Sequence, residues 1–141
     1  MQIVKKLFLV IFVLGSISCS AGPAESDFQS YWTKFRAASL ALDYTTLATL
    51  TKFPLEVKGV DDSIPIKKYE KAQLNTIFSK LISQPVFQYK GNDVIETTLK
   101  ELVAKQEKVE YKATDAQIRV EQFEFQLING KWLLVRAYLE E

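Results

Sequence analysis

The clearest pattern of apolar and polar positions lies in two β-rich runs around Asn129-Gly130, from Gln117 to Leu139. Asn-Gly tolerates the paired positive φ values of a type I′ loop, so the pattern predicts a tight hairpin. With Asn129 and Gly130 as the loop, Ile128 faces Lys131, Leu127 pairs with Trp132, Phe125 with Leu134, and Phe123 with Arg136. Side chains alternate along a strand, so Phe123, Phe125, Leu127, Trp132, Leu134 and Arg136 are expected on one face. The other face carries Gln122, Glu124 and Gln126 with Leu133, Val135 and Ala137. One face is nearly all apolar and the other mixed, as in a sheet with a single covered face. Upstream, Ile118 and Val120 have the opposite parity to Phe123, Phe125 and Leu127. An extra residue near Glu121-Gln122, a β-bulge, would return both sets to one face. Otherwise Ile118 and Val120 pack on the second face.

Before the hairpin the apolar period lengthens to that of helices. Phe28, Tyr31, Trp32, Phe35, Ser39 and Leu42 recur at helical spacing and predict a helix over 27–42, entered through a Ser26…Gln29 capping box. Asp43 is placed to cap a short second helix through Leu47 to Leu50. Leu55 and Val57 alternate with Glu56 and Lys58 after Pro54, which suits an edge strand. Asp61-Asp62-Ser63 reads as a turn, and Ile64-Pro65-Ile66 as a short strand. Leu74, Ile77, Phe78, Leu81 and Ile82 predict an amphipathic helix over 68–83, ended by Gln84-Pro85. Lys67, Lys68 and Lys71 would oppose its dipole and read as a solubility or contact feature. Val86 to Tyr89 is short and apolar, and Gly91-Asn92 turns the chain. Val94, Ile95, Leu99, Leu102 and Val103 fit one helical face over 93–106, with Glu96/Lys100 and Glu101/Lys105 at favourable spacing. Lys108 to Lys112 is expected to be a strand leading into the hairpin.

The start of the chain reads differently. Lys5-Lys6 precede an unbroken apolar run, Leu7 to Leu14, which is too short to span a bilayer as a mature helix. Small residues follow to Ala21, so 1–22 is expected to be an export signal, 23–26 a linker and 27–141 a single domain. Cys19, the only cysteine, ends a lipobox-like Gly15-Ser16-Ile17-Ser18-Cys19, although Ser16 stands where leucine is preferred. Lipidation at Cys19 and ordinary cleavage after Ser20 or Ala21 are the two readings. The expected location is the periplasm or a lipid-anchored position at the membrane. Either way the folded part holds no thiol.

Composition narrows the chemistry. The formal charge is +1, and removing Lys5 and Lys6 makes it −1, so nothing global favours nucleic acid. The chain has no histidine, which removes histidine dyads, histidine-ligated metals and Ser-His or Cys-His nucleophiles. No phosphate-cradling glycine loop occurs, and no cofactor or metal is expected. A Tyr/Asp pair remains open to acid–base work, since it needs no histidine.

The element order resembles the NTF2-like, cone-shaped superfamily. The residues carrying it are Phe28-x-x-Tyr31-Trp32-x-x-Phe35-Arg36, Asp43 before a short helix, Phe53-Pro54-Leu55, and Asn129-Gly130-Lys131-Trp132. The resemblance implies an α+β fold: N-terminal helices packed on a curved antiparallel sheet that closes on the C-terminal hairpin. It also implies a cone-shaped cavity, used by some members as an enzyme site and by others for binding or dimerisation, so the fold alone does not choose. In the register above, Arg136 is the one charged side chain on the inner face. It is expected either to hold an anionic ligand, with Tyr138, Phe123, Phe125 and Trp132 as walls, or to be a structural arginine that is stacked, paired or snorkelling. Leu133, Val135 and Ala137 make the second face a candidate homodimer surface. The leading functional expectation is a non-catalytic module at the cell envelope that binds a protein or small ligand. The alternative is an NTF2-like enzyme pairing Arg136 or a tyrosine with Asp43, Asp61 or Asp62.

Overall fold

The computed structural model describes residues 27–140. The expected export signal, Cys19, the expected linker and the expected Ser26 cap lie outside the described residues.

Helix α1 (Phe28–Ala41) begins at Asp27, whose carboxylate accepts from the Gln29 amide at 3.1 Å and from Ser30 Oγ at 2.9 Å. Asp27, one residue later than the expected serine, is therefore the N-cap. Gln29 is not folded back into a capping box. It donates to Glu107 O at 2.9 Å and accepts from Val109 N at 3.1 Å. Leu42, at φ 53°, ends α1, and Asp43 caps α2 (Tyr44–Thr49) through Thr46 N.

The main sheet has the order β2-β1-β7-β6-β5. Its members are β1 (Thr51–Gly59), β2 (Lys67–Tyr69), β5 (Gln117–Val120), β6 (Phe123–Ile128) and β7 (Lys131–Leu139). Two expectations change here. β1 is interior rather than an edge, and it runs parallel to β7, so the sheet is mixed rather than antiparallel. Pro54 is accommodated because the ladder skips from Thr51↔Leu134 to Glu56↔Arg136, leaving its missing N–H without a partner to fail. The edge beside β1 is β2, formed by Lys67–Tyr69 rather than by residues 64–66, and β5 is the other edge. Glu70 and Gln73 make the capping box of a 3-10 turn over Lys71–Gln73, and α3 (Leu74–Ser83) follows it, later than the apolar pattern implied.

The segment 93–106 is half strand and half helix. β3 (Pro85–Lys90) and β4 (Asp93–Thr98) form a separate two-stranded hairpin, and α4 (Leu99–Lys105) follows at once. Thr98 and Glu101 form a capping box at that junction, and the β-branched Val94, Ile95 and Thr97 precede it. Phe87, Tyr89 and Val94 share one side of this hairpin and are exposed. Residues 108–112 form no strand. Their stretch is tied along α1 by Gln29 and by Tyr111, whose hydroxyl donates to Asp27.

The core lies between the helices and one face of the sheet. Phe28, Trp32 and Phe35 of α1, Phe78 of α3, and Phe123 and Phe125 of β6 are all fully buried. Phe35 lies 5.0 Å from Phe125 and 5.2 Å from Phe123, and Phe78 stacks on Phe123 at 5.7 Å. α1 also closes the open end of α4: Trp32 Nε1 donates to Gln106 O at 2.7 Å and Arg36 Nε to Val103 O at 3.0 Å. Buried Gln84 joins the end of α3 to the end of β7 through Tyr138 O and Glu140 N, each at 3.0 Å.

Candidate functional site

The β6–β7 loop is the expected one, with Asn129 at φ 50° and Gly130 at φ 77°. Leu127↔Trp132 and Phe125↔Leu134 also pair as expected. One step further the register slips: Glu124 pairs with Arg136 and Phe123 with Ala137, so Val135 is an extra residue in β7. The bulge inverts the parity of everything after it. Ala137 and Leu139 turn into the core, while Arg136 and Tyr138 turn to the opposite, outer face.

The five residues expected to build one pocket are thereby split. Phe123, Phe125 and Trp132 are buried against the helices, and Arg136 and Tyr138 stand on the other side of the sheet. The homodimer surface loses Ala137, which is fully buried, and most of Val135, which is 9% exposed, and keeps the half-buried Leu133. The parity change before β6 also has a different cause from a bulge. Glu121 and Gln122 form a two-residue turn, with Glu121 at φ 51°, and β5 folds back on β6. Ile118↔Phe125 and Val120↔Phe123 then pair, and both apolar sets share the inner face.

A cone-shaped cavity would lie between helices and sheet, but rings fill the centre of that space, and a recess of about 210 Å³ opens only at its rim, beside Tyr31, Leu50, Trp132 and Leu133. Tyr31 is buried there too, its hydroxyl donating to Leu50 O at 2.7 Å, and burial holds its pKa well above the usual phenol value.

The outer face is organised around Arg136. Its Nε and Nη2 donate to Glu56 Oε2 at 3.0 and 2.6 Å, and its Nη1 lies 3.8 Å from Glu124 Oε2. Tyr138 donates to that same Glu124 oxygen at 2.9 Å, and the Arg119 guanidinium sits 4.0 Å above the Tyr138 ring. Arg136 and Glu56 are each 31% exposed, whereas the Glu124 side chain is only 7% exposed. The hydrogen bond from Arg136 is the main reason the Glu56 carboxyl stays below its ordinary value; the charges of Lys68 and Lys52 add to it. Glu56 in turn holds the Arg136 guanidinium more firmly protonated.

An open groove of about 330 Å³ runs beside this pair, lined by Lys52, Pro54, Glu56, Lys68, Gln126, Val135 and Arg136. It lies where both central strands are irregular, β1 around Pro54 and β7 at Val135. Local departures from ideal pairing thus make the recess. The groove stops at Arg136 and does not reach the Tyr138–Glu124 pair. The aspartates considered as partners for Arg136 are engaged elsewhere. Asp43 caps α2, Asp61 accepts from Ser63 N at 2.8 Å, and Asp62 pairs with Lys58 at 2.5 Å.

Sequence reasoning missed Glu56, Glu124, Lys52 and Lys68 as companions of Arg136. The signal was present in β7 itself. Trp132 and Leu134 are apolar at even positions, Ala137 and Leu139 at odd ones, and the switch brackets Val135.

Among the described residues no group of His, Cys, Asp or Glu gathers in a way that could hold a metal ion, and no helix is long and apolar enough to cross a membrane. Comparison of the chain with protein-family models, with curated proteins and with solved structures gives no match in any of the three.

Proposed function

We propose that the chain is an exported, non-catalytic interaction module of the NTF2-like kind, working at the cell envelope through the outer face of its sheet. The observation that carries this reading is the contrast between the two faces. The centre of the inner face is closed by fully buried rings, and the space left on that side is a rim recess of about 210 Å³ beside Tyr31, Leu50 and Trp132. The outer face is ordered before any partner arrives, because Glu56, Arg136, Glu124, Tyr138 and Arg119 hold one another. A surface fixed in advance loses little conformational entropy on binding. The helices-then-sheet order and the covered inner face agree with the NTF2-like resemblance, and the signal-like start of the chain supports export.

A photo-crosslinking residue at Leu133, on the outer face, tests the reading in cells. The chain is expected in the envelope fraction, with a discrete adduct from position 133 and none from exposed Thr45 on α2. A cytosolic chain, or equal labelling from both positions, would overturn it.

A further inference from the structure

The outer face is not neutral, although the chain nearly is. Lys52, Pro54, Glu56 and Lys58 point outward from β1, and Lys68 stands opposite Glu56 on β2. Arg136 and Tyr138 follow on β7, Glu124 and Gln126 on β6, and Arg119 on β5. Lys52, Lys58, Lys68, Arg119 and Arg136 therefore share the face with Glu56 and Glu124, and Lys131 stands at its hairpin end. Asp62, at the rim, answers only Lys58.

We infer that this face takes an acidic, extended segment of a partner protein, laid along β1 with its carboxylates meeting Lys52, Lys68 and Arg136 in the groove and Lys58 beyond it. The inference rests on the interaction reading above and names the chemistry of the partner. Three features select this occupant. Lys52 and Lys58 stand at the two ends of β1, roughly 20 Å apart at the rise of a strand, and Lys68 and Arg136 flank β1 on either side of Glu56 between them. Alternate side chains of an extended chain recur about every 7 Å, so one segment along β1 can reach all of these cations, which a single phosphate cannot. Glu56 and Glu124 stand among the cations, so a continuous sheet of anionic headgroups would meet two carboxylates, while a segment can place neutral residues there. A second copy of this chain is disfavoured, because two such faces packed together would oppose cations to cations. Arg136 supplies the fixed donor, held in plane by Glu56, and the exposed lysines supply reach.

The test uses the processed protein purified from the envelope fraction and a fluorescently labelled hexa-aspartate peptide. At about 20 mM salt, where screening is weak, saturable binding is expected. Lys52→Ala/Lys68→Ala is expected to weaken it at least tenfold. Lys100→Ala/Lys105→Ala on α4 removes the same charge and is expected to leave it within twofold. All four lysines are exposed, so neither variant threatens the fold. Equal losses in both variants would show a response to net charge alone and overturn the inference. Competition by inorganic phosphate at equal charge concentration, or binding of anionic phospholipid vesicles without hexa-aspartate binding, would also overturn it. If hexa-aspartate fails while the Leu133 crosslink persists, the acidic partner is wrong and the interaction reading stands; if both fail, both fall.

Discussion

The two faces of β6 and β7 are one peptide bond apart and follow opposite rules. On the inner face, Phe125 touches rings of Phe28, Tyr31, Trp32 and Phe35 at centroid separations of 5.0 to 6.0 Å. Each such pair adds about 0.5–1.5 kcal/mol beyond its area burial, and no pair is indispensable for orientation. On the outer face, geometry is held by few and directed contacts. Glu56 and Glu124 flank one guanidinium, and Tyr138 closes the set. Such half-exposed ion pairs stabilise little, typically under about 1 kcal/mol each. The inner face therefore holds the fold together, while the outer face keeps a surface in one arrangement. A solvent-facing surface with a fixed arrangement is what recognition uses.

The sharpest way to break the comparison is to delete one ring. Phe35 is fully buried and meets rings of α1, α3 and β6 at once. Phe35→Ala is expected to cost about 3–5 kcal/mol, a large share of the 5–15 kcal/mol that keeps such domains folded. Urea unfolding followed by tryptophan fluorescence measures it, with a lower midpoint at unchanged slope. A loss below about 1 kcal/mol would mean that the space between helices and sheet is loosely filled, and that a ligand cavity must be reconsidered.

That inner face was legible from sequence, and the outer one was not. The α1 stripe, the α3 stripe and Phe123/Phe125 are periodic, and periodicity reports burial directly. Asn129-Gly130 fixed one turn because few residue pairs accept its backbone. Arg136 was misplaced because one inserted residue, Val135, reverses every later side chain, and a register carried forward from the turn cannot see it. The parallel pairing of β1 with β7 joins residues about eighty apart, such as Glu56 and Arg136, and leaves no local trace. The strand–helix junction at Thr98 was hidden for another reason. The apolar set over 93–106 fits a helical face throughout, and only the Thr98…Glu101 capping box marks where the helix begins.

A smaller effect sharpens the view of the outer face. Arg136→Met removes the cation 3.8 Å from the nearly buried Glu124 carboxylate and leaves its hydrogen bond from Tyr138 in place. Arg136 is partly exposed but Glu124 is not, so the change strands a nearly buried carboxylate, and a loss of about 1–3 kcal/mol is expected. Glu56→Gln removes the more exposed carboxylate while Glu124 still faces Arg136, and less than about 1 kcal/mol is expected. The ratio of the two is the useful quantity. Equal losses would mean that Glu124 is solvated after all and that the outer face is an ordinary charged surface.

The smallest effect separates the two faces by pH. With no histidine in the chain, no side chain of ordinary pKa titrates across roughly pH 5.5–8, and the thermal midpoint is expected to be flat there. Glu56, held below its ordinary 4.5 by Arg136, and Asp27, held below 3.8 by the Tyr111 hydroxyl, are depressed when folded. Their contributions are complete above those ordinary values and are lost as pH falls through the folded ones, because the unfolded chain binds protons first. Tyr31 behaves oppositely. Burial raises it well above 10.0, so its contribution is complete below that value and declines as pH rises past it. Tyr111, raised by Asp27, adds to the same alkaline limb. The outer face thus enters the acid limb through Glu56, beside helix caps such as Asp27, and the inner face enters the alkaline limb through Tyr31. Glu56→Gln is expected to shallow the acid limb alone, and Tyr31→Phe the alkaline limb alone. A variant that moved both limbs would show that the two faces are energetically coupled through the sheet, against the division drawn between them.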